Sequence, residues 1–241
     1  MPMSAPVDRG DNRLLSALPD EAWRKWSPHL EALEMPLGHV LAESGASLRD
    51  VYFPTTAIVS LLNVMANGAS GEIAIVGNDG IVGVSHFLGG GSMLSRAVVR
   101  SAGWGFRLNA QVVMEEFGRS AGARDLFLRY TQALITQMAQ TAVCNRHHTV
   151  DQQLCRLLLL TLDRLQGSEL VITQESMAEA LGVRREGVTE AAGRLQNDLV
   201  IRYSRGRIVV MDHRALKQRA CECYSVVKKE YSRLLPERPA L

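Results

Sequence analysis

The sequence predicts an α+β chain in which an antiparallel β domain comes first, one long helix follows, and a helix-turn-helix with a β-hairpin wing closes the order. Three observations carry that reading. Residues 33–108 hold short β-forming runs between glycine-marked turns, residues 123–145 keep apolar residues at helical period, and residues 172–211 have the spacing of two short helices joined by a glycine turn and followed by a hairpin. With 241 residues, 46% hydrophobic and 22% charged, the chain has material for two cored domains, and its composition suggests neither a disordered nor a collagen-like protein.

The elements follow in order. Residues 1–11 read as a loose tail, and residues 14–30 as one or two short helices, with Pro19 near a start, Asp20 and Glu21 in the first turn, and Ser27-Pro28 as an interruption. Trp23 and Trp26 are expected to pack inward. Strand-like runs lie at 51–53, 58–65, 72–76 and 97–99, with turns at Asn67-Gly68 and Asn78-Asp79-Gly80, a spacing that points to a sandwich or barrel. The Gly89-Gly90-Gly91 insert matches neither a Rossmann fingerprint nor a P-loop, because no Lys-Ser/Thr opens a helix after it.

Asn109 is a candidate cap for a short helix ending at Phe117, and a break at 118–122 separates it from the long helix. On that helix Phe127, Tyr130, Leu134, Met138 and Thr141 form one stripe and Leu128, Ile135 and Ala142 a second. Two apolar stripes need two partners. The β domain can be one, and the same helix of a second subunit across a two-fold axis the other, which predicts a homodimer through residues 123–145; wholly intramolecular packing is the alternative. Residues 150–165, with Leu154, Leu157, Leu158, Leu162 and Leu165, form an amphipathic helix stopped by Gly167. Asp212 caps one last helix running to about residue 235, with Leu216, Ala220, Cys223, Val227 and Leu234 inward, Lys217, Arg219, Lys228, Lys229 and Arg233 outward, and Pro236 and Pro239 closing the chain.

The helix-turn-helix is the most specific signal. Counting from Gln174, apolar residues fall at Met177, Leu181, Val183, Val188 and Ala191, small Ala178 stands where the helices cross, and Gly182 takes the turn. The second helix, residues 184–196, turns Arg184, Arg185, Glu186, Thr189 and Glu190 outward near its N-terminal end. Arginine donates bidentately to guanine and glutamate accepts from cytosine, so these are base-edge readers, with Thr173 and Gln174 beside them at the start of the first helix. In the hairpin, Arg205 and Arg207 are placed to meet phosphates. Residues 151–241 carry 15 Lys and Arg against 12 Asp and Glu, a basic excess that fits double-stranded DNA without demanding it.

This order of parts resembles the Crp/Fnr family of bacterial transcription regulators over nearly the whole chain. Val51-Tyr-Phe-Pro54, Gly80-Ile-Val-Gly83, Leu181-Gly-Val-Arg-Arg-Glu-Gly-Val188 and Ser204-Arg-Gly-Arg207 carry the likeness. The resemblance implies a cyclic-nucleotide-binding-like jelly roll over residues 1–117, a dimerisation helix and hinge over 118–149, and a winged helix-turn-helix DNA-binding domain over 150–241. It also implies a homodimer on a palindromic operator, base reading by Arg185 and Glu186, and, as further partners, RNA polymerase and a small-molecule effector. Members that bind cyclic AMP have Gly-Glu-Leu-Gly in the phosphate cassette and a later Arg-Ser. Here the pocket positions are Gly80, Ile81, Gly83, Ser95 and Arg96. Ile81 cannot accept a hydrogen bond from ribose, and Arg96 falls one residue late, so a one-step strand shift can turn it to the other face. The expected sensor domain is therefore degenerate.

Other classes are less well supported. The iron-sulfur members carry cysteines near the N-terminus, whereas all four here, Cys144, Cys155, Cys221 and Cys223, lie late and lack CxxC spacing. They read as buried free thiols, a disulfide framework being unexpected in a chain this large and cytosolic, and as metal ligands Cys221 and Cys223, two apart on an expected helix, would point to different faces. Cys144 with His147 is no stronger, although His147 and His148 at the hinge invite a sensing role. No metal, cofactor or catalytic residue is expected; a cupin-like metal enzyme would need clustered ligands, and His29, His39 and His86 are scattered. A cyclic-nucleotide-dependent regulator and a ligand-independent interaction protein remain the alternatives. No signal peptide or apolar stretch of roughly 18 residues is present, so a cytoplasmic protein with no membrane partner is expected.

Overall fold

The computed structural model describes residues 8–165 and 169–235. The expected stop at Gly167, the closing Pro236 and Pro239, and most of the N-terminal tail lie outside those residues. The described start is more ordered than a tail. Arg9–Asp11 form a 3-10 turn in which Arg9 pairs with Asp20, and fully buried Asn12 caps α1, Arg13–Ser16, with its side-chain oxygen while its amide donates to the carbonyls of Pro54 and Gly80. Helix α2, Asp20–Trp26, follows Pro19 and buries Trp26, leaving Trp23 half-buried.

Seven strands build the β domain: β1 Glu31–Met35, β2 Val40–Ala42, β3 Asp50–Pro54, β4 Ile58–Val64, β5 Ser70–Val76, β6 Arg96–Ser101 and β7 Gly103–Asn109. They form two antiparallel sheets ordered β1-β7-β3 and β2-β6-β4-β5, the two-sheet arrangement that a jelly roll requires. Strand β7, central in its sheet, was not among the expected runs. Its Gly-Trp-Gly start breaks the alternation, yet Gly105 is required there, since a Cβ would stand 2.9 Å from the Phe53 carbonyl oxygen. Trp26 stacks on Phe127 at 5.5 Å and tilts against Phe53 at 6.1 Å, and Phe87 joins Phe127 at 5.2 Å, so one aromatic cluster ties the helices to the sandwich.

Asn109 caps α3, Ala110–Arg119, as the sequence suggests, but the break after it is a single residue: Ser120 caps α4, Ala121–His147, while Gly118 stays helical. Phe127, Tyr130, Leu134 and Thr141 are buried and Met138 half-buried, whereas Leu128, Ile135 and Ala142 are exposed. A capping box of Thr149 and Gln152 opens α5, Val150–Leu162. Strand β8, Glu169–Val171, pairs with β10, Arg207–Val210, which pairs in turn with β9, Ile201–Ser204. Between them lie α6, Gln174–Leu181, and α7, Arg185–Asn197.

The expected single last helix is two helices. Asp212 caps α8, His213–Arg219, and the chain turns extended at Ala220 and Cys221 before α9, Glu222–Leu234. Neither proline nor glycine marks this break. Helix α9 doubles back along α4, so the last segment packs on the long helix as well as on α5.

Arg164, just past α5, joins all these parts. Its guanidinium contacts both Asp79 oxygens, at 3.1 and 2.9 Å, donates to the Gln137 side-chain oxygen of α4 at 2.9 Å, and lies 5.1 Å from the Tyr231 ring of α9. Arg164 and Asp79 are both almost completely buried. Removing one member of a buried ion pair strands the other charge, at a cost of about 3–5 kcal/mol. Arg164→Met is expected to lower the stability of the folded chain by that amount in denaturant unfolding, and the double variant with Asp79→Leu to recover much of it. A double variant no more stable than the single one would show that the pair is not the source of the loss.

Candidate nucleic-acid interface

Helix α6 begins at Thr173, whose hydroxyl accepts from the Ser176 amide, and ends at Gly182 with φ 64° and ψ 33°, a left-handed cap that glycine adopts at little cost. Met177, Val188 and Ala191 are fully buried, Leu181 and Ala178 nearly so, and Val183 is half-buried, which brings the two helices together at the expected small residue. The chain enters α7 through Arg184 in extended conformation, so Arg185, Glu186 and Gly187 form the first helical turn and stand away from the core.

Arg184, Arg185 and Glu186 are exposed and carry no side-chain hydrogen bond or ion pair among the described residues. Thr189 donates to the Gln174 side-chain oxygen at 3.0 Å, locking the two helices face to face, and Gln174, Arg185, Glu186, Thr189 and Glu190 line one shallow open depression. Glu190 lies 3.9 Å from Arg194, which is itself held by Asp151. The result is a rigid helix start on which Arg184, Arg185 and Glu186 remain unpaired among the described residues, suited to hydrogen-bond base edges.

The wing separates its two arginines. Arg205 occupies the hairpin tip with φ 49° and is exposed without a partner among the described residues. Arg207 is drawn to Glu169 of β8, with Nη1 2.7 Å from the carboxylate. Arg202, exposed on β9 and not singled out by the sequence, adds a second free cation near the tip.

Residues 152–219 match the family model described as the Crp-like helix-turn-helix domain. This part of the chain is a Crp-like helix-turn-helix domain. Solved structures extend the likeness to the whole fold. FixK2 from Bradyrhizobium japonicum superposes with a TM-score of 0.69 at 13% identity, covering 80% of this chain and 98% of that one. A CRP-family transcriptional regulator from Thermus thermophilus gives 0.65 at 16% identity over 78% and 96% of the two chains. The regulator CLP of Xanthomonas campestris, described as responsive to c-di-GMP, gives 0.60 at 15% identity over 80% and 99%. No curated protein matches in sequence. The chain thus has the Crp/Fnr architecture of β domain, long helix and Crp-like helix-turn-helix domain.

Within that architecture the phosphate-cassette positions serve packing. The Gly80 carbonyl accepts from Asn12, a Cβ on Gly80 would collide with the Tyr130 ring, and the Tyr130 hydroxyl donates to the Ile81 carbonyl at 3.2 Å. The Ile81 side chain is buried in the core, and Gly83 sits at φ 113° against Val51. Ser95 is nearly buried, whereas Arg96 lies at the rim, 3.3 Å from Glu43, on the face of β6 opposite the buried Ala97. Burial also holds the Tyr130 hydroxyl in its protonated, donating form well above its usual range.

A cavity between the β domain and the Crp-like domain lies elsewhere, in the seam where α6 covers the outer face of the second sheet. It holds about 240 Å³ and is lined by Ser60, Leu62, Val98, Arg100, Ile172 and Glu179, among others. At its floor Arg100 pairs with Glu72, which also accepts from Ser60 at 2.5 Å. His29, His39 and His86 form no group of potential metal ligands among the described residues, whereas Cys144, His148, Cys221 and Cys223 do. Sequence reasoning missed that second group because it treated Cys221 and Cys223 as residues of one helix, and paired Cys144 with the wrong histidine.

At Gly182 a Cβ would have open space, so substitution meets only backbone strain. Gly182→Ala is expected to destabilise the Crp-like domain by about 1–2 kcal/mol, the cost of a left-handed L-residue, read as a lower midpoint in chemical denaturation. An unchanged midpoint would mean that the turn relaxes to another conformation.

Proposed function

We propose that the protein is a sequence-specific, DNA-binding transcription regulator that acts as a homodimer on a palindromic operator and whose β domain is a degenerate cyclic-nucleotide-type sensor. The observation that carries this reading is the start of α7, where Arg184, Arg185 and Glu186 stand exposed and unpaired on a helix braced by Thr189 and Gln174. Such a helix start enters the major groove, Arg185 reading guanine and Glu186 cytosine, while the free Arg205 of the wing meets the phosphate backbone. Thr173 and Gln174 meet the backbone at the start of α6, and Glu190 borders the same face. Arg207 contributes less, being held by Glu169.

Dimerisation rests on the face of α4 that the chain leaves uncovered. Leu128 is 44%, Ile135 52% and Val143 51% exposed, and Leu128, Ile135 and Ala142 recur at seven-residue steps, the repeat by which two helices pack side by side. A two-fold axis along this stripe sets the two recognition helices on successive major-groove turns, about 34 Å apart. Effector control, where present, acts by shifting that spacing. The filled cassette, with Ile81 buried and Arg96 turned to Glu43, favours a regulator that does not take cyclic AMP in the usual manner.

Selection of bound sites from random duplex DNA by the full chain tests the reading directly: an inverted repeat with half-sites one helical turn apart is expected, and only weak sequence-independent binding would refute it. On the selected site, Arg185→Ala should cost about 1–3 kcal/mol and relax preference at one base pair, whereas Arg205→Ala should weaken all sequences alike and lower the salt slope by about 1. Ile135→Glu should convert the dimer to monomer in analytical ultracentrifugation. A dimer of undiminished affinity would place the interface elsewhere.

A further inference from the structure

Cys144, Cys221 and Cys223 form a buried cluster separate from the main core. They come from distant segments, Cys144 from the last turns of α4 and the other two from the start of α9, and His148, the extended residue that caps the end of α4, closes the group. One ligand atom of each lies within 4.8 Å of all the others. The Sγ atoms of Cys144 and Cys221 are 3.5 Å apart, and Cys223 Sγ is 3.5 Å from His148 Nδ1. Around a tetrahedral zinc ion with Zn–S bonds of about 2.3 Å, neighbouring sulfurs stand about 3.8 Å apart, so the donors already sit at coordination spacing. Cys221 makes this possible: as the extended cap of α9 it does not follow the helical rotation, and its thiol converges with that of Cys223.

The surroundings are those of a metal site. The other ring nitrogen of His148, Nε2, lies 3.4 Å from the Glu222 carboxylate, an arrangement that leaves Nδ1 as the free ligand and orients the ring. Gln140 donates to Cys223 Sγ at 3.1 Å, as donors do toward thiolates. Arg156, 4% exposed and with an Nε that has no partner, places a positive charge near Cys144, which suits a site with three thiolates and a divalent ion.

We propose that Cys144, His148, Cys221 and Cys223 bind one tetrahedral divalent metal ion of the zinc class, clamping the end of α4 and its hinge to the start of α9. On binding, the cysteine thiols release their protons to solvent, and affinity falls as pH falls. Four protein donors leave no open position, so the site is structural rather than catalytic. A polynuclear iron-sulfur cluster spreads its thiolates over several metal atoms and needs a wider cage than 4.8 Å. The proposal is independent of DNA binding, because its readouts are metal content, spectrum and stability.

The full chain, purified under reducing conditions, is expected to hold about one zinc per chain by elemental analysis. Cobalt(II) in its place should give the intense visible bands of tetrahedral coordination and a thiolate-to-metal charge-transfer band. Cys223→Ser and His148→Ala should lose both, and Glu222→Gln should bind about 10–100-fold more weakly. If either ligand variant misfolds, chelation of the unaltered protein decides: its melting temperature should drop and recover on adding zinc. Absence of stoichiometric metal in reduced, folded protein, a cobalt spectrum lacking charge transfer, or a Cys144–Cys221 disulfide in its place would overturn the proposal.

Discussion

A buried charge must find its counter-charge, and in this molecule that requirement runs through Arg164. The residue follows α5, the helix that leads into the Crp-like domain, yet its partners are Asp79 in a β-domain turn, Gln137 on α4 and the Tyr231 ring on α9. Gly77 accommodates it, since a Cβ there would lie 2.7 Å from the Arg164 side chain. All three nitrogens of this buried guanidinium are engaged, so the groups that surround it must hold station together. The placement of the helix-turn-helix against the β domain follows from that constraint, with α6 resting on β5.

The same turn that supplies Asp79 leads directly into Gly80 and Ile81. Its backbone is engaged by Asn12 from the N-terminal segment and by Tyr130 from the long helix. Positions that could have cradled a phosphate thus connect the β domain to α4. From Tyr130 the contacts continue to Tyr231 at 6.4 Å, and α9 returns along α4 to the cysteine cluster at the hinge. The two ends of α4 are therefore joined by packing and hydrogen bonds, and the hinge holds the one group of three or more potential metal ligands among the described residues.

The helix-turn-helix was legible because its signals are local: capping at Thr173, the left-handed turn at Gly182 and the apolar period of α6 and α7 all lie within a few residues of their partners. The exposed stripe of α4 was legible for the same reason. Strand β7 was not, because Gly103 and Gly105 interrupt its alternation and are explained only by the backbone they approach in the neighbouring segments. The break at Ala220 and Cys221 carries no local stop signal either, and the chain bends there so that α9 can lie on α4. Arg207 looked equivalent to Arg205 in sequence, and differs because β8 brings Glu169 alongside it.

By itself the sequence determined the order of parts, the helix-turn-helix with its outward-facing Arg184, Arg185 and Glu186, and the apolar side chain at Ile81. These depend on residue type and short-range period, which the chain states directly. Only the tertiary structure decided that Arg164 would join Asp79 across 85 positions and that Cys144 and His148 would meet Cys221 and Cys223. Such contacts arise from long-range closure, where burial and charge compensation select partners that no local pattern names.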